Sequence, residues 1–179
     1  MPTRARERLM QAAEDLFYAE GIQSVGVERL LAVSGVGRAS FYRHFASKDS
    51  LVIAVLQHRD EHWRAWLEST VTAHGGGPLA VFDALAEGAD NPGFRGCAFI
   101  NAVAETASPR SDVHRLATEH KSRVTDFLDH LIEEAGHPRH QELAEQFALL
   151  MDGAIVTAMR EQTGEPARRA RKIAEILLA

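Results

Sequence analysis

Residues 34–51 read SGVGRASFYRHFASKDSL. Gly35 supplies the left-handed backbone of a tight turn. A short helix from about Arg38 to Phe45 follows, with Phe41 and Phe45 four apart on one inward face. Just upstream, VERLLAVS (27–34) places Val27, Leu30 and Leu31 together as a second short helix. Two short helices joined by a glycine-containing turn make a helix-turn-helix. Arg38, Arg43 and Lys48 flank the aromatic residues, so an apolar anchor and a cationic surface share one stretch.

Working outward, Leu9, Ala12, Ala13, Leu16 and Phe17 form a one-faced stripe between Arg4 and Glu20, and Gly21 closes that helix. Ser47 is placed to cap a fourth helix, with Asp49 in its first turn, and the apolar pattern continues to about Ala73. At more than twenty residues this helix is long enough to link two domains. HGGGP (74–78) breaks the chain, and Pro78 is suited to open a helix to about Ala89. DNPGFRG (90–96) breaks it again, before helices at about Cys97–Thr106 and from SPRSD through Val113, Leu116, His120, Val124, Phe127, Leu131 and Ile132. Gly136 and Pro138 end the last of these.

The segment 140–162 is apolar on more than one face. Phe147, Leu150, Ala154 and Ala158 form one stripe, and Leu143, Met151, Ile155 and Met159 another. One stripe serves the chain's own core. The other calls for a partner, which points to a homodimer through the helices 140–162 and 166–179. With no alternating, β-branched stretch, the fold reads as all-α, about nine helices.

Composition narrows the class. A chain of 179 residues with 45% hydrophobic content can bury a real core. No apolar run approaches the roughly 20 residues of a membrane span, and MPTRARERLM lacks a signal peptide's apolar segment, so a cytoplasmic location with no membrane partner is expected. One cysteine, Cys97, excludes an internal disulfide framework and a multi-cysteine metal site. Net charge is −5, yet residues 1–64 carry nine Lys/Arg against eight Asp/Glu. The acidity lies in the remainder, leaving local basic clusters at Arg4, Arg6 and Arg8 and at Arg38, Arg43 and Lys48.

In a helix-turn-helix the second helix enters the major groove, its early residues near base edges and flanking cations and hydroxyls on phosphates. Arg38 and Ser40 are then the base-reaching residues, and Tyr42, Arg43, His44 and Lys48 hold the backbone. Phe41 and Phe45 are core.

The run AAEDLFYAEGIQSVGVERLLAVSGVGRASFYRHFASKDSL, with its F-x-x-x-G, its turn and helix and its closing S-K-D-x-L, resembles the amino-terminal DNA-binding domain of the TetR family of transcription regulators. FRGCAFINAVAE (94–105) resembles a segment found in a subset of that family. The resemblance implies a helix-turn-helix DNA-binding domain at 1–46 and a helical ligand-binding and dimerisation domain at 47–179. It implies a dimer on a palindromic double-stranded operator, usually a repressor, that leaves DNA when a small molecule fills a pocket. It places DNA contacts on Arg38, Ala39, Ser40, Tyr42, His44 and Lys48. Gly26 and Gly37 stand where most members have hydroxyl residues; Arg4 and Arg6 are the candidate compensation.

For the pocket, Trp63, Trp66, Phe99, Phe127, Phe147 and Met151 supply apolar surface, and Asn101, Glu105 and His120 are the candidate polar anchors. Cys97 reads two ways, as a buried hydrophobe or as a redox-sensing thiol. His58 and His62, one turn apart, are a candidate metal pair, and with Glu105 they would suit an enzyme or metal carrier. No third ligand, nucleophile-base pair or phosphate loop accompanies them, so no cofactor, metal or catalysis is expected.

Overall fold

A computed structural model describes residues 2–179, with side chains from residue 4 onward; residue 1 of the 1–46 segment lies outside the described residues. Among these there are nine helices: α1 Pro2–Glu20, α2 Val27–Ser34, α3 Arg38–His44, α4 Lys48–Ala73, α5 Ala80–Ala89, α6 Ala98–Ala104, α7 Asp112–Glu134, α8 His140–Glu161 and α9 Glu165–Leu178. Pro78 does not open α5. It sits two residues earlier, in a turn where the Ala80 N–H donates to the Gly77 carbonyl at 3.0 Å.

The chain packs as two compact units, 1–60 with 98–117, and 61–97 with 118–179. These units are drawn differently from the 1–46 and 47–179 segments. The first takes in the opening half of α4 together with α6, because those helices carry apolar faces of their own.

In the first unit, Leu9, Ala13, Val25, Leu30, Phe41 and Leu51 are wholly buried. Removing a Leu or Phe side chain of this kind from water contributes roughly 1.5–3 kcal/mol. The phenyl ring of Phe41 lies 6.1 Å from that of Phe45. Gly35 has φ +63°, and its N–H donates to the Leu31 carbonyl at 3.0 Å, closing α2 in the left-handed cap that glycine adopts without strain. At the start of α4 the cap is reciprocal: the Ser50 N–H donates to Ser47 Oγ and the Ser47 N–H to Ser50 Oγ, both at 3.1 Å.

In the second unit α5, α8 and α9 pack around Phe82 and Phe147, whose rings are 5.4 Å apart, with Leu67, Leu128, Ile132 and Ala174 in the same core. The α9 start is tied to the α5 end: a Cβ at Gly164 would collide with the Ala86 carbonyl oxygen. Asp90 accepts the Gly164 N–H and an Arg168 N–H, each at 2.6 Å.

The two apolar stripes expected on α8 are not split between core and partner. Phe147, Ala154 and Ala158 are buried, and so are Leu143, Met151 and Ile155. On a helix of 3.6 residues per turn the centres of the stripes lie only about 65° apart, so they merge into one broad face that its own unit covers. The apolar surface left open is opposite: Leu149 (74% exposed) and Val156 on α8, with Ile173 and Ile176 on α9.

Candidate functional site

The helix-turn-helix is built from the inside out. Ser34 is buried and its hydroxyl accepts the Val36 N–H at 3.3 Å, while Gly35 turns the chain. Gly37 then caps α3 with extended backbone, its carbonyl accepting the N–H groups of Ser40 and Phe41 at 2.9 and 3.0 Å. Neither Gly26 nor Gly37 makes a side-chain cap, so the two helix starts rest on backbone alone.

Phe41 anchors α3, and what remains of the helix faces water. Arg38, Ala39, Tyr42 and Arg43 are exposed, and Ser40 and His44 are half-buried. The Tyr42 ring packs edge-on against Phe41 at 5.1 Å, which holds its phenol outward. Arg38 forms an ion pair with Glu28 of α2, a partner that sequence reasoning missed. The signal was present as one acid among the basic residues of this segment. Val33 on α2 is half exposed beside the turn, a second surface residue not foreseen.

The amino-terminal arginines differ in use. Arg4 is exposed, and the Arg6 guanidinium lies 5.5 Å above the Phe45 ring. Lys48 is half-buried at the start of α4. Its ammonium donates to the carbonyls of Ile22 and Val25 at 2.9 and 3.1 Å, which commits two of its three donors inside the unit. From the other side, Glu105 accepts the N–H groups of Ile22 and Gln23. The 21–25 turn is therefore clamped between a carboxylate from the end of α6 and a cation from the start of α4.

The pocket candidates separate. Phe99, Asn101 and Glu105 belong to the first unit, and Trp63, Trp66, His120, Phe127, Phe147 and Met151 to the second. Asn101 and Glu105 line a cavity of about 30 Å³ with Phe17, Tyr18, Leu56 and Arg59. That volume holds roughly two water molecules, far below the ~300–1,000 Å³ of small-molecule sites. The Glu105 carboxylate is also already engaged by backbone. Phe99 is buried at 3% exposure.

In the second unit, Phe147 and Met151 are buried in the core that α8 forms with α5 and α9. Trp63, Trp66 and His120 do come together. The indoles are 6.1 Å apart, and the buried His120 ring meets Trp63 edge-on at 5.2 Å. Phe127 is half-buried against the same unit's core, and so is Cys97, a free thiol packed as a small hydrophobe. His58 faces Glu14 at 3.3 Å, and among the described residues no three His, Cys, Asp or Glu side chains are grouped to hold a metal ion. No helix of the described residues is long and apolar enough to cross a membrane.

A short helix fastened by one buried aromatic, with its polar residues outward after a glycine turn, defines a helix-turn-helix DNA-binding protein. Comparison with known proteins agrees. Residues 9–55 match the profile of the bacterial regulatory proteins of the TetR family. A TetR-family transcriptional regulator from Streptomyces coelicolor is 34% identical, covering 98% of this chain and 95% of that one, with a TM-score of 0.89. A TetR-type regulator from Streptomyces avermitilis is 28% identical over 96% of this chain and 98% of its own, at a TM-score of 0.80. The HTH-type transcriptional regulator YjdC of Escherichia coli is 24% identical across 97% of this chain and 93% of its own length. The chain belongs to the TetR family of transcription regulators, and is a DNA-binding regulator rather than an enzyme.

Proposed function

We propose that two copies of this chain bind a palindromic operator in the cytoplasm and repress transcription until a small-molecule effector releases them. One observation carries the reading: Phe41 is wholly buried while Arg38, Ala39, Tyr42 and Arg43 of the same helix stand in solvent. A helix held that way offers its early residues to base edges in a major groove. Arg38 then presents two donors to a guanine and Ala39 a methyl contact to thymine. Ser40 reaches base edges beside them; Tyr42, Arg43 and His44, with Arg4 and Arg6, supply the backbone contacts, and Lys48 acts by fixing the 21–25 turn.

On this reading residues 1–46 read DNA and 47–179 sense and dimerise. The open apolar face of α8 and α9 supports a dimer through those helices: Leu149 and Val156 flank Gly153, where a side chain would meet nothing. The Trp63, Trp66 and His120 group supports an apolar or aromatic effector. Two recognition helices must stand about 34 Å apart to enter successive major grooves on one face of DNA. An effector lowers affinity only by favouring a different spacing, and a coupling of about 1–3 kcal/mol gives roughly 5- to 150-fold.

The test is selection of duplexes from a random pool, followed by footprinting at two salt concentrations. A protected palindrome whose affinity falls with salt is expected, with Arg38→Ala and Tyr42→Ala each weakening it about tenfold or more. If both variants stay folded and bind as well as the parent protein, the assigned surface is wrong.

A further inference from the structure

The ion pair between Arg38 and Glu28 lies on the surface that meets DNA. Arg38 is the first residue of α3, Glu28 the second of α2, so the pair bridges the two helices of the motif across their turn. Both side chains are open to water, 60% and 71% exposed. An exposed pair of this kind adds little to stability. Its effect falls instead on what the surface attracts.

Non-specific affinity for DNA is set by how many phosphates a protein's cations neutralise. A carboxylate bonded to Arg38 cancels that cation at long range and repels any phosphate brought near it. Against a guanine edge the balance differs. The guanidinium has five N–H donors in a rigid fork, and a carboxylate occupies at most two of them. The remaining donors can reach guanine O6 and N7 while the Glu28 bond stays in place and holds the fork's orientation.

We propose that Glu28 is a specificity-determining residue of the DNA-reading surface: it holds Arg38 for a guanine and denies it to phosphate. Arg29, the next cation on α2, is paired too, to Glu20 at 3.0 Å, so the motif shows little uncompensated charge. Arg43 is the cation of α3 that carries no ion-pair partner among the described residues. Discrimination therefore rests on base contact more than on charge. The proposal rests on the operator reading above.

The experiment compares the full-length parent protein, Glu28→Gln and Glu28→Asp on the duplex the parent selects and on a scrambled duplex of equal length, over a salt series. Glu28→Gln should bind the scrambled duplex about 3- to 10-fold tighter, and its ratio of specific to scrambled affinity should fall about tenfold. Its salt slope on scrambled DNA should steepen by about one unit, the mark of one added phosphate contact. Glu28→Asp, which keeps the charge, should restore most of the ratio. An unchanged ratio and slope in Glu28→Gln overturns the proposal, and so does an equal loss on both duplexes. If the parent protein selects no sequence at all, the operator reading falls and this one falls with it.

Discussion

Glu105 accepts the backbone N–H of Gln23 at 2.7 Å and that of Ile22 at 3.1 Å, joining residues more than eighty positions apart within the first unit. Lys48 grips the same turn through the Ile22 and Val25 carbonyls. The turn that leads into the helix-turn-helix is thus held by groups of opposite charge, one from α6 and one from α4. Gly21 makes the approach possible, having φ +89° and a Cβ position only 3.2 Å from Glu105 Oε1.

Glu105→Gln replaces charge-assisted acceptance by a neutral one and leaves a single oxygen for two donors. A loss of about 1–3 kcal/mol is expected from chemical denaturation. Hydrogen exchange should quicken at the Ile22 and Gln23 amides specifically; unchanged exchange there would show that the clamp does not hold in solution.

Lys48 and Arg43 should separate in a salt series. Arg43→Ala removes a free surface cation and should flatten the slope of log affinity against log salt by about 0.9. Lys48→Met removes a positioning group, so affinity should drop with the slope nearly unchanged. A flattened slope in Lys48→Met would place that ammonium on a phosphate instead.

Leu149 and Phe147 lie two residues apart and face opposite ways, at 74% and 0% exposure. Leu149→Glu should yield a folded monomer by sedimentation, since a charge at a partner face costs association and not folding. Phe147→Ala should cost about 3–5 kcal/mol of stability, the usual penalty for emptying an aromatic core site. A Leu149→Glu protein that still sediments as a dimer would move the interface elsewhere.

Asp90 sets a pH dependence. The Gly164 N–H, and after it the Arg168 guanidinium, hold its carboxyl below the ordinary value of 3.8. The folded state therefore releases this proton more readily than the unfolded chain, and the resulting stability is complete above pH ~4 and lost as pH falls through the lower folded value. Asp90→Asn should lower Tm at neutral pH, and the gap to the parent protein should close on acidification below pH ~4. A gap that stays constant with pH would assign the effect to shape and not to charge.

Both tryptophans of the chain, Trp63 and Trp66, sit together beside His120. Intrinsic fluorescence therefore reports on this one place. Titration with an apolar aromatic probe that does not emit with tryptophan, such as toluene, should quench or shift the emission, and Trp66→Phe should reduce the change. Emission that ignores every compound that releases operator DNA would locate the effector site away from this cluster.

The helix-turn-helix is legible in the sequence because its signals are local. Gly35 demands a left-handed turn, Phe41 and Phe45 repeat at helical spacing, and Ser47 caps where a helix must restart. The use of Lys48 and Glu105 was not legible. Read by sequence, both look like ligands of something external, since a charged side chain near a functional stretch looks the same whether it meets DNA, an effector or the chain's own backbone. Only the folded path, which brings the end of α6 to the turn after α1, shows that both charged groups bond to the chain's own backbone.

Periodicity behaved the same way on α8. It showed correctly that the helix is apolar over a wide arc, but the number of neighbours covering that arc is not written in one helix. The nine-helix plan, the anchored α3 and the family follow from local pattern, because turns, caps and helical repeats are set by residues a few positions apart. Which face of α8 stays open, which cation of α3 has no ion-pair partner among the described residues and which acid pairs with Arg38 were decided by tertiary packing, because those depend on side chains that meet only after the chain has folded.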